Sequence, residues 1–183
     1  MALSLEQNPE TCYPKDIFEH GSNGGSWWVA HTKSRREKAL AYCLASKGIG
    51  YYLPLLRKRQ PNINRDRFAL IPLFSGYLFF RGSAQERYLA FTSNHVARVI
   101  EVKDQKKLTD ELCRIRKVLS IQMPVYPYDF LAEGQRVRVR HGPMKGLEGI
   151  ISRKKGNYRL VLTVTTISQA VAVDVEAEMV EAV

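Results

Sequence analysis

The chain has 183 residues, 45% of them hydrophobic, and 28 Lys and Arg against 18 Asp and Glu give it a net charge of +10. That length holds one domain or two small ones, and the charge points to a polyanionic partner. The longest apolar stretch, residues 68–80, is broken by Pro72, Ser75 and Gly76 and falls short of the ~20 residues a spanning helix needs, so no membrane span is expected.

Residues 1–25 carry Pro9, Pro14 and "GSNGG" in place of a leader's basic start and apolar centre, and predict a flexible tail. Residues 26–32 read as an apolar strand. Residues 34–48 read as a helix, with Ser34 and Glu37 spaced as a capping box, a stripe of Leu40, Cys43 and Leu44, and Gly48 to end it. A strand over 49–56 is limited by Pro54. The arginine-rich segment 57–67 reads as a polar loop or hairpin tip. The strand 76–80 follows, and alternation sends Leu78 and Phe80 to one face, Tyr77 and Phe79 to the other. Ser83 and Glu86 predict a second capping box, opening a helix through Phe91. A strand over 96–102 and a helix over 106–121, with Leu108, Leu112, Ile115 and Leu119 in phase, complete the first domain, 26–121.

Two prolines mark 122–131 as a linker. Beyond it, over 132–183, helical periodicity gives way to short strands at 135–142, 146–152, 158–164 and 169–176 separated by glycine turns, the pattern of a small barrel. Val137 and Val139 point inward there, leaving Arg136, Arg138 and Arg140 as an outward basic row.

Basic residues are concentrated in 25–130, which holds 19 Lys and Arg against 8 Asp and Glu. Lys33, Arg35 and Arg36 sit where the first strand meets the first helix, and Arg57, Lys58, Arg59, Arg65 and Arg67 extend a candidate nucleic-acid track. The cysteines, Cys12, Cys43 and Cys113, are too far apart for a disulfide framework, which fits a reducing cytoplasm. His20, His31, His95 and His141 are too scattered for a metal cluster, and no triad or phosphate-loop signature occurs. A binding protein without metal or cofactor is expected, not an enzyme.

The segments "SWWVAHTKSRREKALAYCL", "YYLPLLRKRQ", "LFSGYLFFRG" and "VARVIEV" resemble the N-terminal domain of the NusG transcription elongation factors. "GQRVRVRHGPMKGLEGIISRK" is similar to the family's KOW motif, with Gly142, Pro143, Lys145, Gly146 and Gly149 in its turn-rich core. The resemblance implies an α+β fold: an antiparallel sheet with helices, followed by a small SH3-like KOW barrel. It implies that His31, Tyr77 and Phe79 grip the clamp helices of RNA polymerase and that Thr92 and Ser93 reach toward its gate. One departure is Ser75, which precedes Gly76 where the family commonly has proline. The basic excess resembles specialised RfaH-like antitermination paralogues, in which a residue at the position of Lys33 meets the exposed non-template DNA strand. Non-template DNA or nascent RNA is the expected nucleic acid, a ribosomal protein or Rho the expected partner of the barrel, and a cytoplasmic monomer the expected state. A housekeeping factor of the same family and a ribosome-associated RNA-binding protein are the alternatives.

Overall fold

The computed structural model describes residues 8–19, 25–60, 67–128, 134–154 and 157–183. In chain order the first elements are β1 (Cys12–Tyr13), β2 (Ser26–Thr32), α1 (Glu37–Ser46), β3 (Gly50–Tyr52), β4 (Leu55–Gln60), β5 (Arg67–Pro72), β6 (Tyr77–Gly82), α2 (Ala84–Phe91) and β7 (Val96–Glu101). Strands β1-β3-β6-β2-β7 form a five-stranded antiparallel sheet, and β4 and β5 pair as a separate hairpin. The remaining elements are α3 (Gln105–Ser120), β8 (Val125–Tyr128), β9 (Gln135–Val139), β10 (Glu148–Lys154), β11 (Asn157–Val164), β12 (Gln169–Val175) and β13 (Val180–Ala182). These strands form a six-stranded antiparallel sheet in the order β13-β9-β10-β11-β12-β8. Two compact units result, Met1–Gln105 and Lys106–Val183. The α+β class, with antiparallel strands first and an all-β sheet at the C-terminal end, is the expected one.

Alternation builds the first core. Ala30, Tyr51, Leu78 and Phe80 share one face of the five-stranded sheet with Leu40, Ala41 and Leu44 of α1 and Ala90 of α2, all buried. The register Val29–Phe79–Tyr52 puts those three on the opposite face, and they too are fully buried.

Two stretches depart from the sequence reading, and in a third, residues 57–67, the hairpin alternative holds with paired strand reaching into it. Residues 8–19 of the tail are docked: the Leu53 N–H donates to the Thr11 carbonyl (2.7 Å), and the Tyr51 hydroxyl to the Glu10 carbonyl (3.0 Å). Ile17 is buried, and the Phe18 ring lies 5.5 Å from Trp27 and 5.1 Å from Tyr52. The 57–67 loop begins and ends as paired strand, Gln60 opposite Arg67. The linker contributes β8, which pairs with β12 through Val173↔Val125 to Ala170↔Tyr128. Pro127 is tolerated there because β8 lies at the edge of the six-stranded sheet formed by the described residues.

The docked tail gives one pH prediction. Burial, reinforced by Glu10, Cys12 and Tyr42, pushes the Tyr51 phenol up to about 12. A raised folded value favours the neutral phenol, so its contribution is intact below pH ~10, the ordinary tyrosine value, and is lost toward pH 12. In denaturant unfolding measured across this range, the native chain should lose stability that Tyr51→Phe retains.

Candidate partner and nucleic-acid interface

At one end of the five-stranded sheet, β2 and β6 bring His31 opposite Tyr77 with ring centroids 5.2 Å apart, both side chains half-buried. The turn before Tyr77 is tied down on two sides. Gly76, at φ +82°, donates its N–H to Oε1 of the buried Glu37 (2.7 Å) and accepts the Thr32 N–H at its carbonyl (2.8 Å). The left-handed conformation suits glycine, and Ser75 in front of it is exposed. Glu37 therefore works across the fold and not in the predicted capping box: the N-cap of α1 is Arg36, with no side-chain cap. The second predicted box, Ser83 with Glu86, is formed on α2.

Phe79 lies on the same face as Tyr77 but is 0% exposed, enclosed by the Phe74 ring at 6.1 Å and the Tyr52 ring at 6.4 Å. It is a core residue in this conformation. The sequence reading of an exposed Phe79 fails because the β5–β6 turn folds Phe74 back over it, an effect that strand alternation does not encode.

The cationic residues adjoin the aromatic pair. Lys33, Arg35 and Arg36 are exposed and follow directly from β2. The Lys33 N–H donates to the His95 carbonyl (2.8 Å), its Nζ donates to Oδ1 of Asn94, and the Arg36 N–H donates to the Lys33 carbonyl (3.1 Å). Arg35 (φ 58°) and Asn94 (φ 64°) both adopt the left-handed region, so two conformationally costly turns are clasped together by Lys33. Burial, then the charges of Arg36 and Lys33, lowers the proton affinity of the half-buried His95. His95 and Asn94 thus join the site, which sequence spacing did not reveal. The only hint was an asparagine, tolerant of left-handed backbone, just past a helix end.

Thr92 and Ser93 end α2. The Thr92 hydroxyl donates to the Tyr88 carbonyl (3.0 Å) and the Ser93 hydroxyl to the Ala90 carbonyl (2.6 Å). On the hairpin, Arg57 and Lys58 are exposed, and the Arg57 guanidinium lies 4.0 Å from the centroid of Phe68, itself 38% exposed. Arg59 and Arg67 lie on the paired strands β4 and β5, while Arg65 is outside the described residues.

In the second unit, Gly142 (φ +82°) and Gly146 (φ +83°) form a turn closed by Lys145 N–H to the Gly142 carbonyl (3.0 Å) and Gly146 N–H to the Val139 carbonyl (2.8 Å). Met144 and Leu147 are buried beneath it, and Pro143 and Lys145 are exposed. Gly149 serves packing: a Cβ there would stand 2.5 Å from the Val161 carbonyl oxygen. Val137 and Val139 are buried and Arg136, Arg138 and Arg140 exposed, as their alternation requires. Arg138 pairs with Glu148 at 2.6 Å and Arg140 with Glu181 at 3.5 Å, which leaves less free positive charge on this row than the sequence suggests. The hydrogen bond and charge of Arg138 hold the Glu148 carboxyl below its ordinary value. Among the described residues no three His, Cys, Asp or Glu side chains are grouped to hold a metal ion, and no helix is long and apolar enough to cross a membrane.

Comparison with known proteins gives one family: the NusG model, described as transcription termination factor nusG, matches residues 25–119. Among solved structures, "Domain interaction in Thermotoga maritima NusG" is similar at 16% identity and a TM-score of 0.46, covering 87% of this chain and 97% of that one. "Crystal Structure of MjSpt4:Spt5 complex conformation B" is similar at 14% identity and a TM-score of 0.27, covering 86% and 96%. No curated protein matches the chain.

Proposed function

The chain belongs to the NusG family of transcription factors, and on that premise we propose that it is an elongation and antitermination factor that binds RNA polymerase and exposed nucleic acid through its N-terminal part. The observation that carries this reading is the meeting of an aromatic pair, His31 and Tyr77, and a cationic cluster, Lys33, Arg35 and Arg36, at one end of the sheet. A partner helix from the polymerase clamp needs aromatic anchors of this kind. A strand of non-template DNA or nascent RNA beside it rewards fixed cations through its phosphates and through stacking on guanidinium planes. His95 and Asn94 hold the cluster in place, and the hairpin bearing Arg57 and Lys58 extends the basic surface.

The polymerase-binding domain is taken as residues 26–121. The family match runs through α3 to residue 119, past the boundary of the compact units at 105. Residues 132–183 are read as a KOW barrel that recruits a ribosomal protein or Rho, with 122–131 joining the two. Thr92 and Ser93 face the polymerase gate in this reading. Their hydroxyls are engaged with the end of α2, so their contribution is to shape that end. The factor acts by preferential binding to the processive conformation of the polymerase, which requires no chemistry, metal or cofactor. The density of cations around Lys33 favours a specialised, RfaH-like paralogue acting as a cytoplasmic monomer.

Single-round transcription by purified bacterial polymerase, on templates with pause and terminator sites, tests the reading. The native chain should increase read-through. Tyr77→Ala should weaken polymerase binding about tenfold, a central-anchor loss of about 1.4 kcal/mol. Changing Lys33 and Arg36 together to alanine should reduce the salt dependence of nucleic-acid binding by about two phosphate contacts and abolish read-through on some templates only. Equal loss on every template identifies a general factor, and no binding to polymerase overturns the proposal.

A further inference from the structure

The apolar face of the sheet that carries Tyr77 also carries Trp27, Val29, Phe79 and Tyr52, since β2, β6 and β3 are paired in that register. Part of this face is occupied by the chain's own residues 8–19. Ring contacts run from Phe18 to Tyr52, from Tyr52 to Phe79 and from Phe79 to Phe74, at 5.1, 6.4 and 6.1 Å. Ile17 fills the space above Gly50, where a Cβ would stand 3.1 Å from Ile17 Cδ1. The segment is two-sided: Ile17 is buried, while Glu10, Thr11, Pro14, Lys15, Asp16 and Glu19 are exposed. Its only strand is β1, two residues long at the edge of the sheet.

The closed arrangement is imperfect in two respects. The Trp27 indole N–H is buried without a hydrogen-bond partner, and a cavity of about 170 Å³ lined by Pro14, Ile17, Gly25, Gly50 and Arg81, among others, borders the segment. A buried donor without an acceptor disfavours the covered state relative to one in which a better-fitting group reaches Trp27, and the cavity, partly open to solvent, gives entry at the edge of the segment.

We propose that residues 8–19 are a releasable strap that competes with the polymerase helix for the apolar face around Trp27, Tyr52 and Phe79. This rests on the reading of that face as the polymerase-binding surface. Release exchanges the buried Ile17 and the half-buried Phe18 for apolar side chains of the partner and uncovers the Trp27 and Tyr52 rings that Phe18 contacts in the free chain. Weakening the strap raises the fraction of competent molecules and hence the apparent affinity.

Amide hydrogen exchange of the full chain, with and without purified bacterial RNA polymerase, tests the strap directly. Exchange across residues 10–19 and at Leu53, whose amide bonds to Thr11, should rise on binding while the segment around Tyr77 becomes protected. Protection around Tyr77 with unchanged or stronger protection at 10–19 overturns the strap and leaves the binding surface standing. No protection anywhere overturns the binding surface, and the strap with it. Phe18→Ala, verified as folded by its β2 and β6 amide signals, should bind polymerase about fivefold to tenfold more tightly through the larger competent fraction. Equal or weaker binding assigns Phe18 to the core or to the contact itself and overturns competition.

Discussion

Phe79→Ala is expected to destabilise the N-terminal unit by about 3–5 kcal/mol, whereas Tyr77→Ala, two residues away on the same face, should cost about 1 kcal/mol. The difference follows from enclosure. Phe79 is fully buried between Phe74 and Tyr52, so truncation removes its transfer energy and leaves a cavity whose walls are rings held on separate elements. Tyr77 is half-buried and touches the His31 ring from a turn anchored by Glu37, so its loss opens toward solvent. Urea unfolding of the two variants should separate them clearly, and comparable midpoints would mean that Phe79 is not enclosed in solution. A transcription defect in the Phe79 variant would report stability as well as any contact, so Tyr77 is the position at which the proposed polymerase binding is tested.

The same contrast shows what the sequence discloses. Alternation correctly assigned Tyr77 and Phe79 to one face and Leu78 and Phe80 to the other, because a strand's side-chain period is set by its own backbone. What covers each face is a tertiary property. Phe74 packs edge-on against Phe79 across a turn that Glu37, far away in sequence, ties down by accepting the Gly76 N–H. The spacing Ser34 to Glu37 looks like a cap, and the burial of Glu37 against that turn overrides the local option. The docking of residues 8–19 is illegible in the sequence for a related reason. Two apolar residues, Ile17 and Phe18, among prolines and charges carry no periodicity, yet two are enough where Gly50 leaves room and Trp27 and Tyr52 offer rings. Pro127 argued for a linker, and an edge strand accommodates it. In the cationic site, Lys33, Arg35 and Arg36 were legible as a cluster of charge beside a strand end. Asn94 and His95 were not, since only the pairing of β2 with β7 brings them to Lys33.

Gly149→Ala is expected to destabilise the second unit by about 3 kcal/mol, more than Gly142→Ala or Gly146→Ala, although these two have the unusual backbone angles. At Gly142 and Gly146 an added Cβ meets nothing within 4 Å, so alanine there incurs only the left-handed strain of about 1–2 kcal/mol. At Gly149 the Cβ would meet the Val161 carbonyl oxygen at 2.5 Å and Leu160 Cδ1 at 2.9 Å. A carbonyl that belongs to β11, paired on both sides by β10 and β12, has no room to withdraw without breaking ladder hydrogen bonds. The sheet must therefore separate locally or the variant must unfold. Unfolding of the three variants, followed through amide signals of residues 134–183, should rank Gly149→Ala as the most damaging. If Gly142→Ala proves worse, the turn and not the strand packing limits this unit. With Gly149→Ala the sheet of β8–β13 is perturbed while the Lys33 and Tyr77 site is untouched in sequence. Polymerase binding retained alongside lost recruitment of a second factor would then assign the two proposed activities to the two units.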